Sequence, residues 1–66
     1  MDPNAALDLL VEAIKGGDKS AGQAAFIDLA GWLDKGGFAP LQFINDPGLR
    51  AKFDEGYDVF AAAILN

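Results

Sequence analysis

Neither cysteine nor histidine occurs in this chain. No disulfide can staple it, no redox compartment can be inferred, and zinc and other metals that prefer nitrogen or sulfur lack their usual ligands. Bases are scarce, five against ten acids for a net charge of −5. That balance opposes non-specific attraction to DNA, RNA or anionic lipid, and it leaves a basic partner open. No apolar run approaches the roughly eighteen residues of a membrane span. The amino end, "MDPNAALDLL", lacks the positive start and continuous apolar stretch of a signal peptide. A cytoplasmic protein with no membrane contact is the expectation.

What is present is apolar. The composition is 52% hydrophobic, with five Phe, one Trp and one Tyr, too much for the disordered class and in the range of ordered globular domains. Sixty-six residues make one domain, 1–66, with a thin core. Chains below roughly 70 to 80 residues usually need a disulfide, a metal, oligomerisation or very regular helix packing. With the first two lacking, helix packing or self-association remains.

The periodicity predicts an all-α fold, a small bundle of three longer helices and one short connecting helix, over approximately 3–15, 20–35, 40–45 and 47–65. Asp2 and Pro3 read as an N-cap and first helical residue. Leu7, Leu10, Val11 and Ile14 then recur at i, i+3, i+4 and i+7, opposite Asp8, Glu12 and Lys15. In the second helix Ser20 and Gln23 make a capping box, with Asp18 a rival cap two residues earlier. Phe26, Leu29, Ala30 and Leu33 form its inner stripe, flanked by Ile27 and Trp32. Pro40 starts the short helix, with Phe38 and Phe43 as a hydrophobic staple and Leu41 and Ile44 facing inward. Asp46 and Pro47 repeat the start signal. Leu49, Phe53, Gly56, Tyr57, Phe60, Ala63 and Ile64 share one arc at about 100° per residue, so a single unbroken last helix is preferred over a break at Gly56. A glycine on that buried stripe suggests a close crossing with another backbone. The core is expected to hold Leu7, Leu10, Val11, Ile14, Phe26, Leu29, Leu33, Leu41, Ile44, Leu49, Phe53, Phe60 and Ile64.

Two Lys-Gly-Gly runs, at Lys15 and Lys35, invite a stronger reading. "GGDKS" fails as a phosphate loop, because Asp18 stands where glycine should precede Lys19 and a helix precedes it where the motif needs a strand. A duplication offset by twenty aligns the runs but not the buried faces, which differ by one residue. Punctuation remains: glycine for the left-handed residue past a helix end, lysine where the dipole favours a cation. The hairpin with Ala24 and Ala25 after it resembles one unit of a tetratricopeptide-type repeat over about half the chain. Repeat stacks need three or more units, a second is lacking here, and no functional residue is carried over.

Carboxylates are the abundant chemical groups. Asp54, Glu55 and Asp58 make a candidate acidic face, with Asp54 and Asp58 one turn apart on a continuous helix. Without a cleft, a nucleophile motif, His or Cys, they indicate a solvated face, and no enzymatic activity is expected. "NDPGLRAKFDEG" does not fit a calcium loop, and no cofactor, metal or small-molecule substrate is expected. Arg50 and Lys52 are too few for a nucleic-acid surface, and Arg50 suits pairing with Asp46 and Asp54.

Apolar residues left outside the stripes point to partner contact: Leu9, Trp32, Val59 and Leu65. Trp32 serves equally as a boundary core residue over the Lys-Gly-Gly turn. The leading expectation is a protein-interaction or self-assembly module, contacting another protein or a second copy, with Leu9, Val59 and Leu65 in a two-fold contact of the first and last helices. The alternative is an acidic decoy that imitates nucleic acid and occupies a basic-surfaced partner, using the rows Asp8 with Glu12 and Asp54 with Asp58.

Overall fold

The carboxylate of Asp2, in extended backbone conformation, accepts from the amides of Asn4 at 3.0 Å and Ala5 at 3.3 Å. Two of the donors that a helix start leaves without partners are thereby satisfied, and Pro3 has no donor to lose. The computed structural model describes all 66 residues. In it the chain folds into five helices without strands: α1 (Pro3–Lys15), α2 (Lys19–Asp34), α3 (Leu41–Asn45), α4 (Pro47–Glu55) and α5 (Tyr57–Leu65).

Both glycine pairs close the same turn. After α1, Gly17 has φ +75°, its amide donates to Ile14, and Asp18 donates to Ala13. After α2, Gly36 has φ +87°, its amide donates to Leu33, and Gly37 donates to Trp32. This pairing of one long and one short bond around a left-handed residue is the Schellman motif. The left-handed residue is the second glycine of the first pair and the first glycine of the second. Equivalent points therefore lie nineteen residues apart, as Gly17 and Gly36 do. The same shift carries Leu7, Leu10, Val11 and Ile14 onto Phe26, Leu29, Ala30 and Leu33. Each stripe ends three residues before its left-handed glycine, so the twenty-residue match of the Lys-Gly-Gly letters has no structural counterpart.

The turn also decides the start of α2. Asp18 leaves it directly and accepts from the Ala21 amide at 3.0 Å, so it is the cap and Ser20 lies within the helix. A carboxylate at that position gains from the helix dipole as well, which serine does not.

The short helix is rotated relative to its expected orientation. Pro40 stands at its N-cap with no side chain able to accept, and the Leu41 amide donates instead to Asn4 Oδ1 on α1 at 2.8 Å. Tied there, α3 turns Phe43 inward and leaves Leu41 and Ile44 outside, 62% and 63% exposed. Inside, Phe43 meets the rings of Phe53 and Phe60, at 5.2 and 6.2 Å between centres. The Phe38 and Phe43 staple does not form either: Phe38 is 70% exposed and meets Trp32 edge-on at 5.9 Å.

The expected single last helix is two. Asp46 caps α4 through the Leu49 amide at 3.1 Å, and the chain breaks at Gly56, with φ 125° and ψ 170°. Only glycine occupies that region readily. A Cβ on Gly56 would meet no atom within 4 Å, so backbone freedom, not close crossing, accounts for the residue. The bend brings the rings of Phe53 and Phe60 to 5.4 Å. Along a straight helix their α-carbons would be separated by about 10 Å of rise. The close approach is made elsewhere, by buried Gly22 of α2 beneath Tyr57.

Leu7, Leu10, Ile14, Leu29, Phe43, Phe53 and Phe60 form the buried core, and no polar side chain is buried with them. Val11, Phe26, Leu33, Leu49 and Ile64 are half-buried against it. Phe53 is the hub of the aromatic part, 4.3 Å from Phe26 and 5.2 Å from Phe43 between ring centres. The helices α1 and α2 pack as a hairpin, α5 rests on α1, and α4 joins α5 to α3.

Candidate interaction surface

A core of seven hydrophobic side chains leaves eight large ones exposed: Met1, Leu9, Ile27, Phe38, Leu41, Ile44, Val59 and Leu65. Their placement separates them into groups. Leu9 lines a groove with Ala5, Ala25 and Met1, and Ile27 and Trp32 line the neighbouring depression, which shares Met1 and Asp28 with it. Leu9, Met1, Ile27 and Trp32 thus make one strip across the α1–α2 hairpin, and Phe38 extends it through its contact with Trp32. Asp2, Asp28 and Lys35 border the strip.

Val59 and Leu65 lie apart from that strip. Leu65 lines a depression with Ala13, Ile14 and Tyr57, while Val59 lines another with Ala62 and Asn66. The four apolar residues singled out in the sequence are therefore split, with Leu9 and Trp32 on the hairpin and Val59 and Leu65 on two sides of α5. Met1, Ile27 and Phe38 complete the strip but were not singled out. Ile27 sits beside the inner stripe in sequence, and only the rotation of α2 decides that it faces water.

Trp32 closes the turn that follows α2. Its indole covers Gly37, where a Cβ would overlap the ring, and its Nε1 donates to the Phe38 carbonyl at 3.0 Å. The side chain is half-buried. With its polar atom satisfied, what it presents outward is apolar.

The acids are dispersed. Arg50 Nε donates to both carboxylate oxygens of Asp54, at 3.0 and 3.2 Å. Asp46 caps α4 through one carboxylate oxygen, and Arg50 pairs with Asp54, not with Asp46 as expected. Glu55 ends α4 and Asp58 lies in the first turn of α5, where the helix dipole favours it. The break at Gly56 removes the continuous row of Asp54 and Asp58: Asp54 borders a depression with Phe26 and Arg50, and Asp58 borders those of α5. Asp8 and Glu12 stay one turn apart and exposed on α1. No three acidic side chains are gathered so as to hold a metal ion. No helix is long and apolar enough to cross a membrane.

Comparison with protein-family models, with curated proteins and with solved structures finds no match for this chain.

Proposed function

We propose that the protein is a non-enzymatic interaction module that recognises another protein chain through the apolar strip of Leu9, Met1, Ile27, Trp32 and Phe38. The observation that carries this reading is that eight large hydrophobic side chains lie exposed beside a buried core of only seven, with others half-buried between them, and that Met1, Leu9, Ile27 and Phe38 among the eight join in this strip. Single exposed apolar residues are ordinary, but several joined along one face mark a recognition surface in a small soluble domain. Trp32 adds the residue type most enriched where binding energy concentrates, held in place by its own hydrogen bond.

The dispersion of the acids supports the same choice. An acidic decoy needs closely spaced rows of charge, and Asp54 and Asp58 fall on different helices with Asp54 engaged by Arg50. Catalysis finds equally little support, since the carboxylates lie open to water with no enclosed cleft about them.

Affinity capture from native lysate tests the reading. The wild type is compared with a Leu9→Ser, Ile27→Ser double variant and with an Asp54→Asn, Glu55→Gln, Asp58→Asn triple variant. Loss of the captured partner with the first alone supports the apolar strip. Loss with the second alone supports charge mimicry and removes the proposal.

A further inference from the structure

We propose that Gly56 is a hinge about which α5 leaves its own chain and packs in the same place on a second copy, so that the protein can form a dimer by exchanging its last helix. The joint is the one point in residues 47–65 where helical geometry is interrupted. Gly56 holds φ 125° there in open space, with no atom within 4 Å of a Cβ position. The neighbouring residues keep the phase of one helix, since Leu49, Phe53, Tyr57, Phe60 and Ile64 fall on one arc.

The break leaves backbone groups unmatched. The α5 helix starts without a side-chain cap, and its first bond is from the Phe60 amide to the Gly56 carbonyl. The amides of Tyr57, Asp58 and Val59 have no partner within the helix, nor have the carbonyls of Lys52, Asp54 and Glu55. At Gly56 the amide makes only the short bond to Phe53, at 3.1 Å. Straightening the joint would let the amides of Gly56, Tyr57, Asp58 and Val59 bond the carbonyls four residues back.

What holds the bend is packing: Phe53 against Phe60 at 5.4 Å, Tyr57 over Gly22, and α5 against α1. A straight helix cannot keep Phe53 and Phe60 together within one chain. Two straightened chains can restore every one of these contacts between them, because each α5 finds in the other copy the surface it left. Exchange of an identical element is a low-cost route to a dimer, and hinge variants favour it. The mechanism is independent of the apolar strip on the α1–α2 hairpin, which remains outside.

Gly56→Ala is the test, since alanine favours the straight helix and is strained at the φ of +125° that the bent joint requires, although no neighbouring atom would touch its Cβ. Sedimentation at concentrations from micromolar to millimolar is expected to show a shift from 6.9 kDa to twice that mass. Nuclear Overhauser effects filtered for contacts between labelled and unlabelled copies are expected to link Phe53 of one chain with Phe60 of the other. Wild-type protein refolded from denaturant at millimolar concentration should give the same dimer as a minor, slowly dissociating species. The Leu9→Ser, Ile27→Ser change should leave the exchange intact. A folded Gly56→Ala variant that stays monomeric overturns the proposal. So does a dimer linked only through Leu9 and Ile27, or an unfolded variant accompanied by wild type that refolds only as monomer.

Discussion

The ring of Tyr57 fills the space where any residue other than glycine at position 22 would carry its side chain. A Cβ on Gly22 would overlap the Tyr57 hydroxyl and stand 3.2 Å from two of its ring carbons. The first residue of α5 is thereby locked to the first turns of α2, with Phe26 edge-on to Tyr57 at 5.8 Å. Alanine in a helix is otherwise favoured over glycine by about 1 kcal/mol. Gly22→Ala is expected to destabilise the wild type by about 1 kcal/mol or more and to stabilise a Tyr57→Ala background, a reversal of sign that a double-mutant cycle in urea would detect. Equal effects in both backgrounds would show that the contact carries no energy.

Phe53 touches three other phenylalanine rings. Phe53→Ala is expected to cost about 3 to 5 kcal/mol. At roughly 0.05 to 0.15 kcal/mol per residue that approaches the whole stability of so small a domain. The far-ultraviolet circular dichroism melt should lose its cooperative transition or shift it down by tens of degrees. An unchanged midpoint would mean that the aromatic cluster is not the core.

The rotation of α3 gives an expectation opposite to its sequence pattern. Leu41→Ser and Ile44→Ser should each change stability by less than about 0.5 kcal/mol, whereas Phe43→Ala should cost about 3 to 5 kcal/mol. Chemical denaturation of the three variants distinguishes the two orientations.

Asn4 caps a helix that is not its own. Removing its acceptor by Asn4→Ala should cost about 1 kcal/mol and speed hydrogen exchange at the Leu41 amide, while Asn4→Asp should retain most of the protection. Unaltered exchange in the alanine variant would show the bond to be unimportant.

Features that depend on a single helix and its ends are legible in this sequence. The boundaries of α1, its Asp2 and Pro3 start, the inner stripes of α1 and α2 and the glycine stops all follow from residue spacing and backbone preference. Misreadings arise where spacing carries too little information or where distant residues decide. Five residues of α3 hold barely more than one turn, so Leu41 with Ile44 and Phe43 alone were equally periodic. Its orientation comes from Asn4, thirty-seven residues away. At Gly56 the stripe remains in phase across the break, and only the gain from folding Phe60 onto Phe53 and Phe43 reveals the bend. Gly22 carried no local signal at all, since its reason is Tyr57. For the surface, Leu9 and Trp32 were legible as residues outside the stripes. Their union with Met1, Ile27 and Phe38 required the hairpin to be assembled.

Recognition by apolar contact rather than by charge is decided by salt. The dissociation constant of a captured partner should change by less than about threefold between about 50 and about 300 mM salt, because an apolar strip releases few counterions on binding. Weakening by about tenfold or more over the same interval would contradict the apolar strip and assign binding to the carboxylates.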